Sequence, residues 1–212
     1  MDFFALFLPV LVVLAAYVLG SLSFAVIVSR VMGLSDPRTF GSKNPGATNV
    51  LRSGSKVAAV LTLFLDAFKA WLPVMLVRWF GEPYGLGDGT MAFAGLAAFV
   101  GHLFPVFFRF VGGKGVATAL GMLLAISWVL GLAVALTWLL VAYVSRYSSL
   151  AALVAAAVTP VYYVLGGGSA WVMDKSAVLA ITLMAALLIW RHGANISRLL
   201  KGAEPKIGKK KS

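Results

Sequence analysis

A polar segment near the start of the chain contains the residue types of an anion-binding loop. This first polar segment runs from Gly41 to Arg52, between two apolar stretches, and is rich in small, amide and hydroxyl residues. Glycine lets the backbone approach a ligand, amides and hydroxyls form hydrogen bonds, and arginine offers a forked charge suited to phosphate or carboxylate. The predicted ligand-contacting residues are Ser42, Asn44, Thr48, Asn49 and Arg52. The alternative is a connecting loop whose polar groups bond to one another.

A glycine loop, Gly112-Gly113-Lys114-Gly115, forms a second candidate anion site. At the start of a helix, such a run presents unpaired backbone N–H groups and the positive end of the helix dipole, and the lysine adds a point charge. A nucleotide P-loop would need glycine at position 108 and Ser or Thr at position 115, but the chain has Phe108 and Gly115. ATP is therefore disfavoured as a ligand. The alternative is a cluster of helix-capping glycines.

His102 precedes the glycine loop in an otherwise apolar stretch. It is a candidate for substrate binding, although a lone histidine is more often a hydrogen-bonded structural residue. A His-x4-Asp acyltransferase dyad would need Asp at position 107, where the chain has Phe107. That dyad is excluded.

A third polar cluster is split between Ser149 and the C-terminal region. On a helix, Arg191, Asn195 and Arg198 share one face, with His192 beside them. An interfacial helix that binds anionic lipid would account for the cations alone. The additional His192, Asn195 and Glu204 favour a site instead.

The elements that must position these residues are membrane helices. The 212-residue chain is 61% hydrophobic and 12% charged, with a mean hydropathy of +0.95, which excludes a soluble core. It has no cysteine and two histidines, which leaves no cofactor or metal site predicted. The net charge of +11 is attributed to topology and anionic lipid rather than to nucleic acid.

Apolar runs of membrane-spanning length predict an all-α protein with seven transmembrane helices in a single polytopic domain, residues 1–212. Six runs lie near 4–28, 55–80, 90–109, 115–145, 149–168 and 175–192, and the fourth is split near Ser127. Most lysines and arginines fall on the side of the C-terminus, including a Lys209–Lys211 tail predicted to anchor at the membrane surface. The N-terminus is thus expected to be periplasmic and the C-terminus cytoplasmic. Asp66 and Lys69, inside the second span, are expected to form a structural ion pair.

The three polar clusters together resemble the acyl-phosphate:glycerol-3-phosphate acyltransferase family (PlsY) of bacterial membranes over nearly the whole chain. The resemblance rests on Gly41 to Arg52, on Gly101 to Pro105 running into Gly112 to Thr118, and on Arg191 to Leu200. It implies a seven-helix fold, an active site at the cytoplasmic face of the inner membrane, and a groove open to lipid. It marks as functional Ser42, Arg52, Lys114, Ser149, His192, Asn195 and Glu204. One departure is Lys43, where the family commonly has glycine.

The implied reaction transfers a fatty acyl group from acyl phosphate to the sn-1 hydroxyl of glycerol 3-phosphate, giving lysophosphatidic acid and phosphate. Ser42, Asn195, His192 and Glu204 are the predicted catalytic residues. The predicted substrate-binding residues are Arg52, Lys114, Ser149, Asn44, Thr48, Asn49, Gly112, Gly113, Gly115 and His102. The family also implies, as a partner, an enzyme that makes acyl phosphate. The sequence leaves two alternatives: a transporter for a phosphorylated metabolite, and a metal-dependent head-group transferase.

Overall fold

The computed structural model describes residues 3–208, which form ten α-helices and two short 3-10 turns. The helices are α1 (Phe3–Gly20), α2 (Phe24–Val31), α3 (Ala47–Leu51), α4 (Lys56–Phe80), α5 (Asp88–Leu103), α6 (Val116–Ile126), α7 (Trp128–Ser145), α8 (Ser148–Gly166), α9 (Lys175–Arg191) and α10 (Gly193–Leu200). The predicted all-α class is confirmed for these residues. The Lys209–Lys211 tail lies outside them.

Four segments of the described chain are long and apolar enough to cross a membrane individually: α4, α5 with its extension to Phe108, α7 and α8. The α1/α2 pair, bent by 43°, and the α9/α10 pair, bent by 55°, raise the number to six if each pair is one span. The predicted break near Ser127 is confirmed, because α6 ends at Ile126 and Ser127 caps α7. The prediction of seven spans is confirmed only in part, because α6 has 11 residues and rises about 16 Å, which is too short to cross a hydrocarbon core of about 30 Å.

Glycines let the helices pack with their backbones in close contact. A side chain at Gly20 of α1 would overlap the backbone of Ala98 in α5, and one at Gly101 would overlap the carbonyl of Tyr17. The Tyr17 hydroxyl donates a hydrogen bond of 2.7 Å to the Phe104 carbonyl. Small residues at helix crossings replace the hydrophobic driving force that lipid does not supply. The end of α5 is thereby fixed against the end of α1.

The short helix α6 begins well inside the bundle. Gly121 of α6 packs against the backbone of Ala67 in α4, and Arg78 of α4 donates a 2.8 Å hydrogen bond to the Ile126 carbonyl at the end of α6. From these two contacts α4 and α6 run in the same direction. Gly121 and Ala67 lie at the same level, but α6 begins only 5 residues before Gly121 whereas α4 begins 11 residues before Ala67. At 1.5 Å per residue, α6 therefore starts about 9 Å deeper than α4. The glycine loop that precedes α6 is therefore recessed below the start of α4.

Asp66 and Lys69 form the expected ion pair inside the bundle. Lys69 Nζ lies 2.7 Å from Asp66 Oδ1, and the two side chains are 1% and 2% exposed. His102 joins them, with its Nδ1 2.9 Å from Lys69 Nζ. The three ionisable groups thus form one buried cluster between α4 and α5.

Candidate active site

The glycine loop folds tightly over the end of α5. Gly115 has a φ of +80° and caps α6, so the first N–H groups of that helix face the loop. A side chain at Gly112 would overlap the His102 carbonyl, and one at Gly113 would overlap the His102 ring. Gly113 N–H also donates a 3.1 Å hydrogen bond to the His102 carbonyl. Only glycine fits at these positions, and His102 lies beneath the loop as its support.

Arg191, the last residue of α9, holds the glycine loop from the other side. Its Nε donates to the Gly113 carbonyl at 3.2 Å and its Nη2 to the Gly112 carbonyl at 2.9 Å. The guanidinium also lies over the Phe104 ring, 5.7 Å from its centre. With the carbonyls turned toward Arg191, the loop keeps one cation fixed beside its backbone. The sequence placed Arg191 on a polar helix face but did not identify it as a site residue.

A network of hydrogen bonds around one carboxylate joins four separate elements. Lys114 Nζ donates to Asn195 Oδ1 at 2.5 Å, and Asn195 Nδ2 donates to Glu204 Oε1 at 2.6 Å. Ser149 Oγ donates to Glu204 Oε1 at 2.7 Å, and Arg198 Nε donates to Glu204 Oε2 at 2.7 Å. The glycine loop, α8, α10 and the C-terminal segment thus meet at what we term the carboxylate network (Lys114, Ser149, Asn195, Arg198 and Glu204).

Burial and neighbouring charges set the protonation states in this network. Burial, together with the nearby cations Arg198, Arg52 and Arg191, lowers the pKa of Lys114 to about 8, although Glu204 opposes this. Burial acts to raise the pKa of Glu204, but hydrogen bonds from Ser149, Asn195 and Arg198 outweigh it, so that pKa lies below its usual value. Glu204 is therefore ionised and already accepts three hydrogen bonds. Because Glu204 can only accept, the NH2 group of the Asn195 amide must face it, which turns Asn195 Oδ1 toward Lys114.

His192 follows α9 and is buried beside the carboxylate network. Its Nδ1 lies 2.8 Å from the Leu188 carbonyl, which can only accept, so the ring hydrogen is assigned to Nδ1. Burial lowers the pKa of His192 to about 4. At neutral pH the imidazole is uncharged, and its Nε2 carries a lone pair.

The first polar segment is organised around Asn49. Asn49 Nδ2 donates to the carbonyls of Pro37 and Phe40 at 2.6 and 3.2 Å, and its Oδ1 accepts from Ser42 N at 3.0 Å and Arg52 Nη1 at 3.3 Å. Asn49 is 2% exposed, so its side chain is occupied by the loop itself. At Asn49, therefore, the polar groups of the segment bond to one another, as in the alternative of a plain connecting loop.

The other predicted ligand-contacting residues of the first polar segment are less buried than Asn49. Ser42, Thr48 and Arg52 are exposed and Asn44 is half-buried. The Arg52 charge is close enough to Lys114 to lower its pKa. The first polar segment and the glycine loop therefore lie on the same side of the bundle, as the predicted shared pocket requires. Within residues 3–208, no three His, Cys, Asp or Glu side chains are grouped as a metal site.

Comparison with known proteins decides between the possible activities. A family model described as glycerol-3-phosphate acyltransferase matches residues 10–202. A glycerol-3-phosphate acyltransferase of Albidiferax ferrireducens is 66% identical over 204 residues, covering 96% of this chain and 91% of the relative. The chain belongs to the glycerol-3-phosphate acyltransferase family. It is an enzyme of that class, which rules against the transporter alternative.

Other members of the glycerol-3-phosphate acyltransferase family match a similar share of the chain. The Burkholderia pseudomallei protein is 60% identical over 201 residues, covering 95% of this chain and 96% of the relative. The crystal structure of PlsY, an integral membrane glycerol 3-phosphate acyltransferase, in its glycerol 3-phosphate form is 38% identical with a TM-score of 0.85, covering 94% of this chain and 96% of that one. Its lysophosphatidic acid form is 36% identical with a TM-score of 0.84, covering 94% of this chain and 95% of that one. The fold is thus that of an integral membrane acyltransferase of this family.

Proposed function

We propose that this acyltransferase moves a fatty acyl group from acyl phosphate to the sn-1 hydroxyl of glycerol 3-phosphate, releasing lysophosphatidic acid and inorganic phosphate. The observation that carries the proposal is the convergence of Lys114, Arg191 and Arg198 with the glycine loop and Asn195. Two phosphorylated reactants need several cations and backbone N–H groups within one recess. The glycerol 3-phosphate and lysophosphatidic acid forms of the related PlsY structures support the same substrate and product.

Each half of the recess suits one of the two anionic reactants. Lys114 and the N–H groups of the glycine loop other than that of Gly113 bind one phosphate, and Arg52 helps bind the other. The neutral His192, whose Nε2 can only accept a hydrogen bond, contacts a hydroxyl group of glycerol 3-phosphate. Ser42 and Asn195 orient the reacting groups, while Ser149 and Glu204 hold Asn195 in place. Asn44, Thr48 and Asn49 shape the first polar segment around its ligand, and His102 supports the glycine loop. Acyl transfer is then accelerated by positioning and by stabilising the tetrahedral oxyanion.

The protonation states argue for a proton acceptor supplied by the substrate. Glu204 is ionised but occupied by three donors, and His192, with a pKa of about 4, is a weak base. The hydroxyl oxygen of glycerol 3-phosphate attacks the acyl carbon, and the bond from that carbon to the phosphate oxygen breaks. The departing phosphate takes the hydroxyl proton. An acidic pH–rate limb, in which activity falls as the base is protonated, would contradict this scheme if substituting His192 or Glu204 abolished it.

We place the active site at the cytoplasmic face of the bacterial inner membrane, because most lysines and arginines lie on the side of the C-terminus. We propose seven membrane helices in one polytopic domain, in which α6 and the recessed glycine loop together complete one crossing. Irregular backbone is tolerated at membrane depth where it lines a polar cavity. The N-terminus is then periplasmic and the C-terminus cytoplasmic. Because the chain lacks cysteine, Lys201→Cys and Tyr84→Cys report the orientation directly: an impermeant maleimide added to intact spheroplasts should label only the second.

The decisive experiment supplies purified protein with glycerol 3-phosphate and either acyl phosphate or acyl-CoA. Lysophosphatidic acid and inorganic phosphate should form in equal amounts with acyl phosphate, and neither with acyl-CoA. Turnover with acyl-CoA alone would overturn the donor assignment while leaving the acyltransferase class intact. An enzyme that makes acyl phosphate must act upstream, so adding one with its substrates should replace the synthetic donor.

A further inference from the structure

Three ionisable side chains lie deep in the bundle, apart from the carboxylate network. Asp66 and Lys69 of α4 and His102 of α5 are at most 7% exposed. Burial of charged groups at membrane depth is costly, and such groups are retained where they serve a function. We place none of the three in contact with the substrate, because His102 lies beneath the glycine loop and Asp66 and Lys69 lie beside His102. Their contacts instead lead to elements that do.

Lys69 makes one ion pair and two hydrogen bonds within this cluster. Its Nζ lies 2.7 Å from Asp66 Oδ1, 2.7 Å from the Leu22 carbonyl and 2.9 Å from His102 Nδ1. An ammonium group has three hydrogens and no acceptor, so His102 Nδ1 accepts and the ring hydrogen is assigned to Nε2. Leu22 lies in the break between α1 and α2. One side chain therefore joins that break to α4 and α5.

His102 transmits this arrangement to the glycine loop through two contacts. Its carbonyl accepts the Gly113 N–H at 3.1 Å, and its ring Nε2 fills the space that a Gly113 side chain would need. A shift or rotation of the ring would therefore move the loop. The other end of the cluster, at Leu22, precedes α2, which leads into the first polar segment.

We propose that Asp66, Lys69 and His102 are positioning residues for acyl transfer, which hold the glycine loop in register with α2 and the first polar segment. Lys69 fixes the His102 ring and the Leu22 carbonyl, and His102 fixes Gly113. This inference rests on the proposed function of the glycine loop as a phosphate site. It assigns the buried ion pair a role in substrate affinity that is separate from bundle stability.

The test compares steady-state kinetics and backbone hydrogen exchange in Lys69→Met/Asp66→Asn with those of the unmodified enzyme. Gly113→Ala first identifies which substrate depends on the loop. The double variant should raise the KM of that same substrate about tenfold to a hundredfold, because small misplacements of binding groups have effects of this size. The KM of the other substrate should stay within about twofold, and residues 110–118 should exchange faster. Thr62→Val, buried on the same helix with no hydrogen-bond partner among the described residues, is the matched control.

A second variant keeps the inference testable if the double variant does not fold. In His102→Asn the amide oxygen replaces Nδ1 as acceptor for Lys69, while the space beside Gly113 is emptied. The same KM should rise, and adding Gly113→Ala should cost much less in this background than in the unmodified enzyme. Additive effects of the two substitutions on this KM would contradict the contact between His102 and Gly113 as the route from the cluster to the loop.

The outcomes separate this inference from the proposed function. Unchanged exchange at residues 110–118, or parallel increases in both KM values, would overturn the positioning role. Faster exchange with both KM values unchanged would instead show that the glycine loop holds no substrate, and would overturn the phosphate assignment together with this inference.

Discussion

The two halves of the candidate active site are built in different ways. In the first polar segment, Asn49 bonds to partners at most 12 residues away in the chain. In the carboxylate network, Ser149 reaches Glu204 across 55 residues and Lys114 reaches Asn195 across 81. The first half is a locally folded loop, whereas the second exists only when four distant elements have assembled.

This difference determines what a substitution can change. Ser42 and Thr48 are exposed on a loop that Asn49 already holds, so they are free to contact ligands without supporting the fold. Lys114 and Asn195 bond to each other, so the residues that would grip the substrate also join the helices. Substitutions of the exposed residues in the first half should therefore change activity without changing stability, whereas substitutions in the second half should change both.

The largest effect is expected at Lys114. Lys114→Met removes the cation between the glycine loop and Asn195, and kcat/KM should fall about a hundredfold to a thousandfold, as when a preorganised donor is lost from an active site. Steady-state assays of lysophosphatidic acid formation measure this. Lys201→Met, an exposed lysine past the end of α10, should stay within about twofold. A loss of less than about threefold at Lys114 would contradict its role in phosphate binding.

Gly113→Ala should have the next largest effect, because its methyl group would overlap the His102 ring. The loop must move to make room, and the affinity for its phosphorylated substrate should fall about tenfold to a hundredfold. Gly193→Ala is the matched control, since nothing lies within 4 Å of the new methyl group. Equal KM values for the two variants would show that the close fit at Gly113 is irrelevant to binding.

A basic limb in the pH profile should report Lys114. Burial lowers its pKa to about 8, so the ammonium is charged below that pH and neutral above it. The phosphates stay dianionic above their second pKa of about 6, so kcat/KM should fall about tenfold per pH unit above the limb at pH ~8. In Lys114→Arg the limb should move beyond the measurable range, because guanidinium does not deprotonate there. A limb at the same pH in both enzymes would assign it to another group.

Sequence reasoning predicted the helices better than the contacts between them. The apolar runs indicated the order of the helices and the break at Ser127, because run length reflects membrane thickness. The contacts of Arg191 with Gly112 and Gly113 were missed, since these partners are 79 and 78 residues away from it and follow no period. The link between Lys69 and His102, 33 residues apart, was missed for the same reason.

Asn49 shows a further limit of sequence reasoning, because the sequence identified the segment but not the role of this residue within it. Its residue type suited ligand contact as well as loop support, and the choice depends on where the backbone turns. Gly41 adopts a φ of +59° directly against the Asn49 side chain, and this brings the amide under the loop rather than toward a ligand. Neither composition nor spacing carries that information.

Ser42 and Asn49 give a direct test of the separation within the first half. Ser42→Ala removes an exposed hydroxyl and should lower kcat about tenfold with an unchanged melting temperature, if Ser42 orients the reacting groups. Asn49→Ala leaves buried carbonyls without donors and should destabilise the protein by about 1–3 kcal/mol. Thermal unfolding in detergent, run beside the kinetics, compares the two. A lower melting temperature for Ser42→Ala would show that this half is not separable.

The smallest expected effect comes from Lys43, whose φ of +56° lies in the left-handed region that favours glycine. Holding a side chain there costs about 1–2 kcal/mol, whereas glycine adds about 0.4–1 kcal/mol of unfolded-chain entropy. Lys43→Gly should therefore stabilise the protein slightly, by about 0.5 kcal/mol, and leave kcat/KM unchanged. Lys43→Ala separates backbone strain from charge, because it removes the ammonium but keeps the Cβ. If alanine stabilised as much as glycine, charge repulsion on the first polar segment, rather than its local backbone geometry, would be the cause.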